Sequence, residues 1–261
     1  MSVSTVVVDI ADGIATVVFD RPPVNAIDEA SMGRLGDTFN SFRDRRDVRV
    51  AIFTAAGDRA FMAGADLKAV DGIEAEEISP SRLVDPGGGA RAAMWAITDC
   101  AVPVIAAVNG PAIGAGLAFA ACCDIIVAAE GATFGTTEIN VGLLGASSHL
   151  SRLVGRYKAR EMFFTGELVP AAELHRLGAV REVVPRDLLL PTAQALAAVL
   201  AAKSPIALRM AKGSMDRVEH LPLKEAYRTE QDYTDRLLRY DDAAEARAAF
   251  FEKRDAVWKW R

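Results

Sequence analysis

Short apolar runs in the first half of the chain predict a β-sheet. Val6–Ile10 and Ile14–Phe19 are rich in β-branched residues, and Asp12-Gly13 between them favours a tight turn, so we expect a β-hairpin. Further apolar runs of strand length lie at residues 48–54, 102–108, 124–129 and 179–184. Because helical segments separate these runs, the pattern is typical of a sheet that is covered on its faces.

Helical spacing of apolar residues dominates the chain after residue 145 and also lies between the predicted strands. Asp28 is a predicted helix N-cap, and Met32, Leu35, Phe39 and Phe42 after it recur on one helical face. Further helices are predicted over residues 90–100 and 117–122. The segment 72–89 is rich in glutamate, proline and glycine, which predicts a loop that covers or lines a binding site.

The composition fits a folded α/β protein and argues against several classes of function. A length of 261 residues suits one large domain, or one domain with a helical appendage, and 51% hydrophobic residues suffice for a core. The net charge of −5 disfavours binding to nucleic acid or to an anionic membrane, since both need a basic face. No uninterrupted apolar run reaches the ~20 residues of a membrane-spanning helix.

Three cysteines, Cys100, Cys122 and Cys123, lie in apolar surroundings without the spacing of a metal or redox motif. This usage is typical of reduced, buried cysteines, and the N-terminus does not match a secretory signal. We therefore expect a cytoplasmic protein that binds neither nucleic acid nor membranes.

Two glycine-containing turns between strands and helices are candidates for an anion-binding site. The first is Ala63-Gly64-Ala65-Asp66, and the second is the segment 109–116, which ends in Gly114-Ala115-Gly116. N–H groups in the first turn of a helix have no intrahelical acceptor, so two of them could stabilise a developing oxyanion. Either turn taken alone more often serves tight packing. Neither matches a phosphate loop or a dinucleotide-binding motif.

Glu138 is a lone carboxylate between an apolar strand and a glycine-flanked apolar segment. Burial would raise its pKa and suit it to proton transfer near neutral pH, although an isolated glutamate is more often a cap or a surface ion-pair partner. His149 follows closely and could line the same pocket, but a packing role is the more common one. His149, His175 and His220 share no metal-ligand spacing, so we expect no metal site.

In their order and spacing, these segments resemble the crotonase, or enoyl-CoA hydratase/isomerase, family over nearly the whole chain. The segments that carry the resemblance are Arg21-Pro22, Asn25-Ala26, Ala63-Gly64-Ala65-Asp66-Leu67-Lys68, Pro103-Val104-Ile105-Ala106-Ala107-Val108-Asn109-Gly110, Gly114-Ala115-Gly116, Cys123-Asp124-Ile125, Phe134-Gly135 with Glu138, Thr165-Gly166, and Phe250 with Glu252-Lys253-Arg254. The resemblance implies an α/β fold, a crotonase (ClpP-like) spiral of ββα repeats over residues 1–195. A helical C-terminal oligomerisation region over residues 196–261 would build homo-trimers or homo-hexamers made of two trimers.

The resemblance also implies an acyl-CoA substrate and assigns residues to it. The N–H groups of Ala65 and Ala115 would form the oxyanion hole, and Glu138 would be the acid/base. The residues implied for coenzyme A binding are Val24, Ala26, Ala63, Asp66, Leu67 and Lys68, together with Phe250 and Lys253 from a neighbouring subunit. Coenzyme A is part of the substrate, so no separate cofactor is expected.

Two departures from the family pattern bear on the reaction. Family hydratases use two glutamates, and the position of the second one is Ala118 here. The second carboxylate of dienoyl-CoA isomerases is likewise replaced, by Ala146. A single carboxylate at position 138 resembles the Δ3,Δ2-enoyl-CoA isomerases, which favours isomerisation or an atypical hydration. The alternatives are a CoA-ester lyase or hydrolase that recruits His149, and a non-catalytic or RNA-binding scaffold, for which a basic surface would be expected.

Overall fold

The computed structural model describes residues 5–66, 84–85 and 87–261. Within them, six strands form one sheet in the order β1-β2-β3-β4-β6-β9. β1 and β2 are antiparallel, as the predicted hairpin requires, and each later neighbour is parallel to the one before it. The strands are β1 (Val6–Ala11), β2 (Ile14–Phe19), β3 (Val50–Ala55), β4 (Val104–Val108), β6 (Ile125–Ala129) and β9 (Glu182–Val184).

The central strands β3, β4 and β6 are buried on both faces, which explains why they are continuously apolar. On one face Phe53 and Ala106 pack with α1 (Glu29–Ser41), α2 (Gly88–Thr98) and α3 (Ala115–Ala121). On the other face, Ile52 and Ile105 pack against α7 (Arg186–Ala201). The predicted division between residues 195 and 196 falls inside α7, so the chain from 196 begins with the end of a helix that covers the sheet.

A second, smaller sheet lies next to the candidate site. Its strands are β5 (Ala112–Ile113), β7 (Thr133–Gly135) and β8 (Val169–Pro170). β5 pairs with β7 in parallel, so the turn that leads into α3 is attached to the segment that leads to Glu138. The 3-10 helix Glu138–Val141 follows β7, and α4 (Ser147–Val154) and α5 (Arg156–Thr165) come next.

The rest of the chain is helical, as predicted. Its helices are α6 (Ala171–Arg176), α7, α8 (Pro205–Val218), α9 (Leu223–Leu237) and α10 (Asp241–Glu252). In the part of the chain that the structure covers, no single helix is long and apolar enough to cross a membrane; α7 and α8 meet that test only as a pair bent by 104°. The predicted loop 72–89 lies mostly outside the described residues, and its last two residues belong to α2.

Candidate active site

The turn at residues 61–66 lies directly against the start of α3. Ile113 N donates to Met62 O over 2.9 Å. A Cβ on Gly116 would lie 2.2 Å from Met62 O, and a Cβ on Gly64 would lie 3.3 Å from Ile113 O. Gly64 also has a φ of +99°, which L side chains rarely adopt. Glycine at both positions therefore allows the two predicted turns to meet, backbone against backbone.

The pairing of its neighbours with Ile27 fixes the direction of the Ala65 N–H. Ile27 N donates to Gly64 O, and Asp66 N donates to Ile27 O, each over 2.9 Å. Successive peptide groups in an extended segment point in opposite directions, so the N–H of Ala65 points away from Ile27. No backbone acceptor for it is found in the described residues.

Ala115 provides the second N–H group, because it is the first residue of α3. Gly114 before it has a φ of +54°, and its own N–H donates to Gly135 O over 2.9 Å. A parallel bridge joins Met62 to Ala112, and Ala65 and Ala115 each follow three residues later. Ala65 and Ala115 thus lie at matching positions of two adjacent turns, and within the described chain no backbone carbonyl accepts from Ala115 N.

The carboxylate of Glu138 lies against the same turn. A Cβ on Gly114 would be 2.1 Å from Glu138 Oε1, and a Cβ on Gly145 would be 2.7 Å from it. The acid is therefore held between two glycines, one of which immediately precedes Ala115. Of the three predicted catalytic residues, Glu138 therefore lies beside the turn that leads to Ala115, and the turn that contains Ala65 lies against the same segment.

The environment of Glu138 suits a proton-transfer group. Burial raises the pKa of the carboxyl above its ordinary value, and a hydrogen bond from its own backbone N–H offsets part of that rise. Oε2 is buried and has no hydrogen-bond partner among the described residues. A buried acid with a raised pKa is suited to exchange its proton with a bound molecule.

Comparison with known proteins decides the family. The family model for enoyl-CoA hydratase/isomerase matches residues 9–261. The chain belongs to the enoyl-CoA hydratase/isomerase family. Its fold is the crotonase fold: an enoyl-CoA hydratase from Bacillus anthracis superposes with a TM-score of 0.92 at 30% identity, covering 99% of this chain and 100% of that one. The predicted family and fold are thereby confirmed.

Relatives within the family have more than one named reaction. A Rhodococcus jostii (strain RHA1) protein named (7aS)-7a-methyl-1,5-dioxo-2,3,5,6,7,7a-hexahydro-1H-indene-carboxyl-CoA hydrolase is 42% identical over 226 residues, 85% of this chain and 84% of that protein. A Mycobacterium tuberculosis protein of the same name is 41% identical over 241 residues, 92% of this chain and 96% of its own. A carnitinyl-CoA dehydratase of Salmonella enteritidis is 37% identical over 255 residues, 95% of each chain.

The positions at which this family member departs from two-carboxylate enzymes are also defined. Ala118 lies on α3, one turn after Ala115, and is only 1% exposed, so a methyl group fills that position. Ala146 has a φ of +56° and precedes α4. His149 lies in the first turn of α4, where burial and then the charge of Arg152 lower its pKa. Its Nδ1 is buried without a partner in the described part of the chain.

The residues predicted to bind coenzyme A fall into three groups. Val24, Ala26 and Ala63 are half-buried on adjoining segments, and Ala63 N donates to Val24 O over 3.2 Å. Asp66 directs a carboxylate oxygen to Arg21, over 2.8 Å. Leu67 and Lys68 lie outside the described residues.

The third group is at the C-terminal end of α10, far along the chain. Phe250 is 78% exposed, and Lys253 caps the helix with a φ of +53°. Their predicted contact with the substrate of a neighbouring subunit stays a prediction.

Two parts of the site were not found from the sequence. The close approach of Gly145 to Glu138 has no local signal in the sequence. Arg21 was noted as part of a motif, while its contact with Asp66 joins residues 45 apart in the chain. Both features depend on tertiary packing.

Proposed function

We propose that this enzyme hydrolyses an oxo-substituted acyl-CoA by way of a thioester enolate. Glu138 is the acid/base, and the N–H groups of Ala65 and Ala115 bind the thioester oxygen. The observation that carries this proposal is the contact of the Glu138 carboxylate with Gly114, the residue next to the Ala115 amide. The hydrolase names of the relatives at 41% and 42% identity support the choice of reaction.

The chemistry follows from the same parts. Water attacks a ketone carbon attached to the carbon next to the thioester carbonyl, and Glu138 takes a proton from that water. The bond between these two carbons then breaks, and its electron pair moves into the thioester enolate. Two preorganised N–H donors stabilise the enolate oxygen, and each is worth roughly 3–4 kcal/mol of barrier in comparable sites. Glu138 returns its proton to the carbon, which leaves a carboxylic acid and a shortened or ring-opened acyl-CoA.

A second candidate is Δ3,Δ2-enoyl-CoA isomerisation. It is favoured by the buried methyl group of Ala118, which leaves Glu138 without the second carboxylate that orients water in family hydratases. In this reaction Glu138 removes a proton from the α-carbon and returns it to the γ-carbon, with the same enolate between the two steps. Both candidates use the same three residues, so they differ in whether water is incorporated.

His149 is the residue that we propose to orient the attacking water. Its lowered pKa keeps the imidazole neutral near pH 7, and a neutral imidazole has one donor and one acceptor nitrogen. Its Nδ1 is buried and has no hydrogen-bond partner within residues 5–66, 84–85 and 87–261, so its hydrogen-bonding capacity is unused there. Isomerisation needs no water, so a loss of hydrolysis without a loss of isomerisation in His149→Gln would support this role.

Coenzyme A binding and assembly complete the proposal. We propose that Val24, Ala26, Ala63, Asp66, Leu67 and Lys68 contact coenzyme A, and that Phe250 and Lys253 do so from a second copy of the chain. Exposed apolar side chains on α9, among them Leu223 at 84% and Tyr227 at 57%, support a homo-trimer or homo-hexamer. Analytical ultracentrifugation measures this assembly directly.

The test is a substrate panel with isotopic labels. The enzyme is incubated with a cyclic 3-oxoacyl-CoA, a 3-enoyl-CoA and a 2-enoyl-CoA in heavy-oxygen water and, separately, in deuterated water. Heavy oxygen in a new carboxylate, with coenzyme A still attached to the product, is the expected result. Three other results would each indicate a reaction different from carbon–carbon hydrolysis. They are release of free coenzyme A, hydration of the 2-enoyl substrate, and deuterium gain without added water. Glu138→Gln is the matched control, and full turnover by this variant would contradict the proposal.

A further inference from the structure

We propose that Arg21 and Asp66 form a positioning pair that fixes the direction of the Ala65 N–H, by tying the oxyanion turn to the segment at residues 24–28. The inference rests on the proposed role of Ala65 and extends it to residues that do not touch the reacting atoms. Neither side chain is a catalytic residue in this scheme.

The guanidinium of Arg21 binds both segments at once. Nη1 donates to Ala26 O over 2.8 Å, and Nη2 donates to Asp66 Oδ2 over 2.8 Å. Nη2 also lies 3.0 Å from Asp28 Oδ2. The three charged side chains are 23–29% exposed, so solvent screens these contacts less than it would screen a surface pair.

The base of Arg21 is held firmly as well. Asn25 Oδ1 accepts from Arg21 N over 2.9 Å, while Asn25 Nδ2 donates to Ala56 O and Ala60 O. Asn25 is buried and has a φ of +56°, a conformation that asparagine tolerates better than most residues. The backbone at Arg21 is therefore held in place by Asn25.

The turn that contains Ala65 has conformational freedom, which the Arg21–Asp66 contact restricts. Gly64 precedes Ala65 and gives the backbone conformational freedom, whereas Asp66 follows it and is tied to both Ile27 and Arg21. Loss of the Arg21–Asp66 contact would remove one side-chain restraint on the residue that follows Ala65. A displacement of about 1 Å in a reacting geometry can lower a rate about a hundredfold, so a small rotation of this peptide is sufficient to be measured.

The two aspartates that contact Arg21 offer a matched comparison. Asp66→Asn weakens the contact to the oxyanion turn, and Asp28→Asn weakens the contact to α1. Asp28 also caps α1 by accepting from Ser31 N over 2.9 Å, a role that asparagine fills equally well. Both substitutions are isosteric, and each removes one negative charge beside the same guanidinium.

We expect Asp66→Asn to lower kcat and kcat/KM together by about tenfold to a hundredfold, as loss of an interaction made in the transition state does. Asp28→Asn is expected to keep kcat within about twofold at an equal thermal midpoint. Arg21→Lys should reproduce the loss, and the double variant Arg21→Lys/Asp66→Asn should lose no more than the larger single effect, because both act through one contact. Acetoacetyl-CoA provides a second readout, since its enolate absorbance should weaken on Asp66→Asn and persist on Asp28→Asn.

The positioning role of Arg21 and Asp66 would be contradicted by any of three results. These are unchanged kcat in Asp66→Asn, equal losses of kcat in both aspartate variants, and additive losses in the double variant. A raised KM with unchanged kcat would show that the Asp66 side chain contributes to coenzyme A binding only, and would contradict the positioning role as well. Glu138→Gln, assayed beside these variants, keeps the two proposals separate: full turnover there refutes the proposed function, whereas its loss together with normal Asp66→Asn kinetics refutes the positioning pair alone.

Discussion

Gly145 lies so close to Glu138 that a Cβ built on the glycine would be 2.7 Å from Oε1 of the acid. Gly145 does not have a positive φ, so its backbone conformation is open to other residues. Space for the carboxylate, rather than backbone strain, therefore explains glycine at this position. The contact also fixes one side of the volume in which the acid can move.

Replacing Gly145 by alanine tests this explanation. The added methyl group must displace the carboxylate, and we expect kcat to fall about a hundredfold while KM for acyl-CoA changes little. Steady-state kinetics measures both quantities. Gly33→Ala on α1 is the control, because nothing lies within 4 Å of its added Cβ, and it should retain activity. Equal activity of the two variants would show that Glu138 is not held by this contact.

The sequence predicted the large elements because their signals are local. β-branched runs predicted β1 and β2, and Asp28 was recognised as an N-cap that indeed accepts from Ser31 N. The turn that contains Ala63-Gly64-Ala65-Asp66 was expected between a strand and a helix, yet residues 61–66 form only isolated bridges, to Ile27 and Ala112. That segment is too short and too rich in small residues for its pattern to distinguish a strand from a turn held by its neighbours.

The candidate site was predicted from the family resemblance more than from the local pattern of the sequence. Ala65, Ala115 and Glu138 each have an ordinary local explanation, and their approach depends on β5 pairing with β7 and on Gly116 packing against Met62. A sequence gives no distance between segments 50 residues apart in the chain. The reaction itself depends on water access and acyl shape, which neither periodicity nor composition encodes.

The protonation state of Glu138 should be visible in the pH dependence of catalysis. The base must be ionised to accept a proton, and burial raises its pKa from the ordinary value of 4.5. We expect kcat/KM to fall as the pH is lowered through this raised pKa, with an acid limb above 4.5. Glu138→Gln should lose roughly a hundredfold to ten-thousandfold in rate and should lack that limb. An acid limb centred at or below 4.5 in the wild type would contradict the burial of the acid.

Replacing the buried carboxyl of Glu138 should make Glu138→Gln more stable than the wild type at neutral pH. A carboxyl with a raised folded-state pKa binds more protons in the folded than in the unfolded state, so stability falls as the pH rises from 4.5 through the raised value. Glutamine has no charge to desolvate. The stability difference should therefore grow across this range and level off above it, as measured by urea unfolding at several pH values. A constant difference at all pH values would be the contrary result.

The variant Ala118→Glu tests whether the missing second carboxylate limits the hydration of 2-enoyl-CoA. The new side chain would enter a nearly fully buried position on α3, so we expect a loss of stability of several kcal/mol unless the acid is protonated or reaches water. If it faces the substrate, hydration of 2-enoyl-CoA should rise above the wild-type level. Ala118→Gln has the same size without an acid and should show no rise. A stable Ala118→Glu enzyme without hydratase activity would show that the surrounding pocket differs from that of hydratases.

A buried lysine joins α8 to the core. Lys212 Nζ donates to Ile97 O over 3.1 Å and to Asp124 Oδ2 over 2.7 Å, and Asp124 Oδ2 also accepts from Val104 N. One turn further along α8, Asp216 has a pKa raised to about 6. Burial is the largest cause, Asp124, Asp99 and Glu219 add repulsion, and Lys212 opposes the rise.

Asp216→Asn should therefore stabilise the protein, and more so at higher pH. The folded-state pKa of about 6 exceeds the ordinary value of 3.8, so the wild type loses stability as the pH rises between these values and stays at the lower level above them. The pKa shift of Asp216 sets an upper bound of about 3 kcal/mol on the stability gained at neutral pH. Solvent screening reduces this gain, because the side chain is only partly buried. Urea unfolding of Asp216→Asn near pH 4 and near pH 8 measures the gain, with the exposed Asp235→Asn as control. A gain of the same size at both pH values would show that removal of charge at Asp216 is not its cause.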